Sequence, residues 1–221
     1  MNFYASKRLL VLAVFMGAAM PSIAFEQAPL DTKTCKKPEY PPNALHAEQE
    51  GISLIGFFVR ADGKVMRSVV LNSSGSADLD SATAKALSKC TFLPARNGGE
   101  VGDRWVRMTY SWRFEDDPDG RGAMRKAALA ARKGDLDALY QFSLLLISSA
   151  NTDADREKAT TVLHSAAEQG HAHAQYHVGW RYEKGVEVEA NLEEALRWYQ
   201  QSAAQGDPLA TQRLALGRLT D

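Results

Sequence analysis

"GISLIGFFVRADGKVMRSVVL", residues 51–71, decides how this chain begins to fold. Its apolar residues alternate. Ile55, Phe57 and Val59 fall on one face of an extended segment, Asp62-Gly63 supplies a two-residue reversal, and Val65, Val69 and Leu71 return on one side. Period-two hydrophobicity on both sides of an Asp-Gly step is the pattern of a β-hairpin. The opposite face of the first strand, Ile52, Leu54 and Phe58, is apolar as well, so a second layer must cover it or a partner must.

Downstream, "VLNSSGSADLD" (70–80) leaves the strand at two serines and a glycine and resumes with helical spacing. Leu79, Ala82, Thr83, Ala86, Leu87 and Cys90 recur every three or four residues, one buried stripe of an amphipathic helix. Ser76 or Asp78 offers the capping oxygen, and Gly75 permits a positive φ at the reversal. Ser73 and Ser74 therefore read as punctuation and not as a nucleophile. The nearest bases in sequence, Lys85 and Lys89, lie two or three helical turns away, and neither a nucleophile elbow nor a phosphate-loop lysine accompanies the serines.

A third strand follows in "WVRMTYSWRF" (105–114), with Val106, Met108, Tyr110, Trp112 and Phe114 facing inward and Arg107, Thr109, Ser111 and Arg113 facing outward. Ahead of the hairpin, "YPPNALHAEQEG" (40–51) reads as a short helix with prolines in its first turn and Gly51 as its stop. The acidic, Pro- and Gly-containing "EDDPDGRG" (115–122) has linker composition and marks a boundary. The reading is a domain over 25–115, a linker over 116–122 and a second domain over 123–221.

Residues 1–24 stand apart. Lys7-Arg8, the run "LLVLAVFMGAAM", Pro21 and the small residues Ser22-Ile23-Ala24 compose a secretory signal. An uncleaved anchor is the competing reading, although the unbroken apolar run is well short of the roughly 20 residues that span a bilayer. Without this segment the net charge is −3, which offers no long-range attraction to nucleic acid or to an anionic membrane. Two cysteines, Cys35 and Cys90, in a secreted chain favour one disulfide, with free thiols or half a zinc site as the alternative.

Taken in order, "PEYPPNA", "EGISLIGFFVRADGKV", "SSG", "LD", "FLPA" and the final alternating strand resemble the C-terminal domain of TonB-type energy transducers, over about residues 36–115. The resemblance implies a small α+β domain in the periplasm of a Gram-negative bacterium, with two helices on a three-stranded antiparallel sheet. It also implies that an extended peptide of an outer-membrane transporter is received beside the strand at 104–114, by strand addition. On that expectation the binding edge comprises Arg104, Trp105, Arg107, Thr109, Ser111 and Arg113. Transducers keep an anchor containing a histidine and a long proline-rich spacer. Residues 1–24 hold no histidine, and about a dozen residues separate Ala24 from the domain.

Beyond the linker, Gly134, Gly170 and Gly206 are spaced by 36 residues, as are Ala138, Ala174 and Ala210; Ala131, Ala167 and Ala203; and Ala123, Ala159 and Ala195. A period of this size marks a two-helix solenoid. "SAAEQGHAHAQYHVGWRYEKGVEVEANLEEALRWYQQSAAQGD" (165–207) resembles the sel-one class of tetratricopeptide-like repeats, while the preceding unit is degenerate, with "SSANTDAD" in place of "EKGVEVEAN". This resemblance implies a binding scaffold.

Three histidines lie close in sequence, His171, His173 and His177, but no acidic or cysteine ligand shares their face at a metal-binding step. Shifted by the repeat, that face reads Asp137, Gln141, Leu144; His173, His177, Trp180; Leu209, Arg213, Leu216. It is a candidate peptide groove formed by His173, His177, Trp180 and Arg213, with Trp180 as anchor or else packed on a neighbouring helix. Ala174, Val178 and Tyr182 form the alternate, core stripe.

The sequence thus predicts an α+β domain followed by an all-α solenoid, with no catalytic set, metal or cofactor. The function expected is that of a periplasmic, protein-binding adaptor for envelope proteins or peptides, such as outer-membrane transporter segments. A membrane-anchored accessory of TonB-dependent transport is the alternative.

Overall fold

The computed structural model describes residues 30–31, 33–93, 102–117 and 120–216. The secretory segment read over 1–24 lies outside the described residues, as do Pro94 and Ala95 of the "FLPA" stretch. The elements are α1 (Pro42–His46), β1 (Gly51–Val59), β2 (Val65–Asn72), α2 (Ala77–Leu87), β3 (Arg104–Trp112), α3 (Arg121–Ala131), α4 (Leu136–Ser149), α5 (Asp153–Glu168), α6 (Ala172–Lys184), α7 (Leu192–Ala204) and α8 (Pro208–Ala215). A three-stranded antiparallel sheet in the order β2-β1-β3 is followed by a run of helices.

The hairpin closes at Asp62-Gly63. Arg60 N–H donates to the Lys64 carbonyl at 2.9 Å, and Gly63 takes a φ of +84°. Glycine is needed there for a second reason: a Cβ at Gly63 would lie 2.2 Å from the Phe92 carbonyl oxygen, where Phe92 N–H donates back to Gly63 O at 2.8 Å. Just ahead, Cys90 is joined to Cys35 in a disulfide closing a separation of 55 residues. It sits beside a core of Ile55, Phe57, Val59, Leu87, Phe92 and Val106. Further along the same face of the sheet, Tyr40, Ala44, Leu79, Tyr110, Trp112 and Phe114 form a second cluster, in which Trp112 Nε1 donates to Thr83 Oγ1 of α2 at 3.0 Å.

The serine turn is structural. Ser76 caps α2 by accepting from Leu79 N–H at 3.4 Å, so of the two candidate caps it is Ser76. Asp80, one turn into the helix and buried, reaches back to organise the loop. Its carboxylate accepts from Ser53 Oγ at 2.7 Å, Ser73 Oγ at 2.5 Å and Ser74 N–H at 2.9 Å. A buried carboxylate holding three donors ties β1 to the turn.

Two local expectations are corrected. The helix α1 ends at the Ala47 C-cap, and Glu48 takes the positive φ of 47°, so Gly51 starts β1 and does not stop α1. Val69 is 40% exposed, because a register shift in the β1–β2 ladder breaks the strict alternation that would have placed it on the same face as the half-buried Val65.

In the helical half, each consecutive pair of helices packs together, and the small residues of the 36-residue pattern lie at the contacts: Ala123, Ala159, Ala195, Ala167, Ala174 and Ala210 are buried. The repeat also extends to the caps. Asp135, His171 and Asp207 are the N-caps of α4, α6 and α8, each accepting a backbone N–H from the first turn. The degenerate unit has its own device, a capping box in which Thr152 and Asp155 exchange bonds at the start of α5.

Candidate functional site: the sheet seated on the solenoid

The second face of the sheet carries Ile52, Leu54, Phe58, Arg107, Thr109 and Ser111, since β1 and β3 pair Ile52 with Ser111, Leu54 with Thr109 and Phe58 with Trp105. Its cover is the solenoid. Ile52 and Leu54 belong to one buried cluster with Ala123, Ala127, Tyr140, Leu144, Leu145, Leu163, Ala167, Ala174 and Val178. The apolar second face of β1 therefore needs no outside partner at this end.

Polar groups complete the seat. β2 pairs with β1 only as far as Leu54–Asn72, which leaves Ile52 without a strand neighbour on that side. Gln141 of α4 fills the gap: with its amide oriented by the surrounding network, its oxygen accepts from Ile52 N–H at 2.5 Å and its nitrogen donates to Ile52 O at 2.9 Å. At the other end of the solenoid, Gln212 of α8 does the same for β3. Its Oε1 accepts from Trp105 N–H, and its Nε2 donates to the Trp105 carbonyl at 3.0 Å. Just past the end of β3, Arg113 Nη2 donates to Ser148 Oγ of α4 at 3.0 Å.

The outward residues of β3 are accordingly in different environments, contrary to the uniform solvent face read from the sequence. Arg107 is only 7% exposed. Burial draws its guanidinium down to about 10, opposed by the nearby Tyr140, Tyr176, Asp207 and Tyr199, which belong to or cap four solenoid helices. Arg104 and Trp105 are half-buried, and Arg67 of β2 lies over both the Phe58 and Trp105 rings at 5.1 and 5.0 Å. Ser111 is half-buried and accepts from Arg113 Nε at 2.9 Å, whereas Thr109 is exposed.

The four residues read as a repeat groove are mostly interior. His173 and His177 are 2% exposed and Trp180 5%. Trp180 clusters with Ala195 and Tyr199 of α7, the neighbouring-helix alternative. Arg213 makes a two-point ion pair with Glu183, at 2.8 and 2.7 Å. Glu183 is raised by burial, but its bonds from Arg213, Tyr199 and Lys184 outweigh this and hold it below the usual carboxylate range.

The histidines diverge to separate partners. His171 Nδ1 accepts Ala174 N–H at 3.0 Å and its Nε2 faces Asp137 at 3.3 Å; His173 Nδ1 meets Asp207 at 2.7 Å; His177 Nδ1 meets the Tyr140 hydroxyl at 3.1 Å. Burial pushes His171 down to about 4 and His177 well below its ordinary value, in both cases reinforced by neighbouring positive groups. Among the described residues no group of histidine, cysteine or acidic side chains is arranged to hold a metal ion. No described helix is long and apolar enough to cross a membrane.

Two edges remain without a neighbouring strand among the described residues, β2 and β3. On β3, the Gln212 bonds show that Trp105 points its N–H and carbonyl away from β1. Alternation then places the main-chain groups of Thr109 and Ser111 on the same outer margin.

The chain thus has two parts, a sheet domain of the TonB C-terminal type followed by repeats of the Sel1 type. Residues 36–115 match the family model for the Gram-negative bacterial TonB protein C-terminal, and residues 172–207 match that of the Sel1 repeat. The chain is 35% identical over 77 residues to Protein tonB2 of Pseudomonas aeruginosa, covering 35% of this chain and 28% of that protein. It is 36% identical over 98 residues to DAP3-binding cell death enhancer 1 of Rattus norvegicus, covering 44% of this chain and 19% of that protein. A Sel1 repeat protein of solved structure from Oxalobacter formigenes aligns with a TM-score of 0.39 at 27% identity, over 41% of this chain and 68% of that one. The chain spans less than a third of the length of these curated relatives.

In the sequence Gln141 is only a face residue, Asp80 only the second residue of the "LD" step, and Gln212 carries no mark. The apolar second face of β1 signalled that something must cover it, but a glutamine that bonds a strand's backbone carries no sequence mark that separates it from a solvent-facing one.

Proposed function

We propose that this chain is a non-enzymatic adaptor of the Gram-negative periplasm that binds an extended segment of an envelope protein by adding it as a strand to β3. The observation that carries this reading is the outer margin of β3 from Thr109 onward, which has no neighbouring strand among the described residues while the sheet behind it is held against a solenoid. A strand margin is a template for backbone hydrogen bonding, and a rigid backing lowers the ordering cost of a ligand. The two matched families are interaction domains, which supports a protein-binding role in TonB-related systems. The signal-like sequence of residues 1–24 supports export.

In this reading the solenoid serves as a brace. The groove residues His173, His177 and Trp180 are held in its packing, so the peptide-binding surface is the strand and not the repeats.

The test is a proline at Thr109. Its N–H faces the outer margin, so Thr109→Pro removes a donor to the ligand without removing one to β1. Photo-crosslinking from the exposed position of Asp116 in intact cells should yield specific envelope adducts that Thr109→Pro and Ser111→Pro each abolish, with the circular dichroism of the purified variants unchanged. Adducts that survive both prolines would reject strand addition.

A further inference from the structure

The bond between Gln212 and Trp105 has the form of a strand pairing. In an antiparallel ladder, each outward-facing residue exchanges two bonds with its neighbour, giving an N–H and taking one. A primary amide carries the same donor and acceptor side by side. Gln212 presents both to a single residue of β3, from a helix that packs on that strand. Gln141 does the same at Ile52, and there the consequence is visible within the chain: β2 pairing ends at Leu54–Asn72, and the next outward position of β1 is taken by the glutamine. A side-chain amide thus already marks where one strand of this sheet ceases to pair.

We propose that Gln212 is the corresponding stop for the strand that β3 receives: it occupies the Trp105 position, so that an added segment pairs at Thr109 and Ser111 and ends short of Trp105. The inference rests on the strand-addition reading and specifies its register. From Thr109 back to Trp105 is four residues, roughly 13 Å of extended chain. The recognised segment is consequently short, and its terminus or a turn falls beside the start of β3. Gln212 acts here as a specificity residue. It selects segments that can stop, and it keeps longer apolar strands from extending along the whole edge.

The test uses the full chain carrying Asp116→Cys, an exposed position just after β3, with the Cys35–Cys90 disulfide left oxidised. A nine-residue synthetic peptide of alternating threonine and valine, long enough to reach Trp105, is coupled there through a maleimide and a flexible linker. Coupling supplies a high local concentration, so no prior ligand is needed. Amide hydrogen exchange is then read on both the protein and the peptide. Gln212→Ala should speed Trp105 exchange in the uncoupled chain by tenfold or more. On coupling, the chain with Gln212 should protect the Thr109 and Ser111 amides and only the part of the peptide beside them, whereas the Gln212→Ala chain should protect at least two further peptide amides and restore Trp105. Gln212→Glu, which keeps the acceptor and loses the donor, should fall between, and near-ultraviolet circular dichroism reports that each variant is folded. An equal number of protected peptide amides with and without Gln212 overturns the stop while leaving strand addition standing. No protection of Thr109, Ser111 or the peptide in either chain, with Trp105 still released by Gln212→Ala, overturns strand addition and the stop with it.

Discussion

The side-chain amide of Gln141 closes onto the backbone of Ile52, giving one bond and receiving one where β2 has ended. Both residues are buried, Gln141 at 4% and Ile52 at 5% exposed. Replacing the amide by an isosteric apolar group leaves an N–H and a carbonyl without water or partner. Gln141→Leu should therefore cost about 1–3 kcal/mol, the penalty of stranding buried polar groups. The expected result in urea is a lower midpoint with an unchanged slope, and a loss of protection confined at first to Ile52. A midpoint within error of the parent would mean that the seat between sheet and solenoid contributes nothing measurable.

How far these features were legible in the chain depends on range. The hairpin, the amphipathic stripe of α2 and the 36-residue period are local or repetitive patterns, and, Val69 apart, the residues that carry them fold as their spacing implies. The surface of β3 was misjudged, because a strand's polar face reads as solvent-facing unless the other half of the chain is known to cover it. Arg107 shows the difficulty: alternation put it outside, and it is outside its own domain, yet it lies under solenoid tyrosines whose positions follow from packing some 30 to 90 residues away. Similarly, the face of His173 and His177 reads as a groove, when in the folded chain the two rings are buried against Asp207 and Tyr140 of the solenoid itself.

Gly63→Ala tests one of the two tightest glycine positions of the sheet domain, the other being Gly51. Alanine there would carry a φ of +84° and place its Cβ 2.2 Å from the Phe92 carbonyl, a backbone atom that cannot swing aside. Both the strain and the clash are specific to this turn, so the expected effect exceeds that of an ordinary turn glycine, which is about 1 kcal/mol. Thermal unfolding should fall by well over 5 °C, with the Gly63–Phe92 hydrogen bond lost. Gly75→Ala is the control for strain without a clash, as no neighbouring atom lies within 4 Å of its Cβ position.

Reduction of Cys35–Cys90 should be costly for a different reason. The bridge closes a separation of 55 residues, for which loop-closure entropy gives about 4 kcal/mol in a model where the bond acts on the unfolded chain. The double variant Cys35→Ala, Cys90→Ala should lower the unfolding free energy read from urea denaturation by a comparable amount. Because the bridge fastens the segment before α1 to the end of α2, the first amides to lose protection should be Asp31 and Phe92, which bond across it to Thr91 O and Gly63 O. Uniform loss of protection through the solenoid as well would show instead that the two halves unfold as one unit.

Acid should loosen the seat through its histidines. His177 is faced by Tyr140 of α4, Arg107 of β3 and His164 of α5, with Arg181 and His173 on its own helix; burial first, and then these cations, keep it neutral in the folded chain. His171 is drawn down to about 4 by burial and by His173, against the opposing pull of Asp137. In the unfolded chain both return to about 6.5. Below that pH the unfolded state binds more protons, so the stability these groups carry is complete above about 6.5 and drains away as pH falls toward 4. Glu50 works in the other direction, since burial raises its carboxyl, but it is one partly exposed group against two buried rings. The urea midpoint should accordingly decline between pH 7 and 4.5, and His177→Asn, which keeps a polar partner for Tyr140 without a titrating ring, should flatten that decline. A slope identical in parent and variant would move the acid sensitivity away from His177.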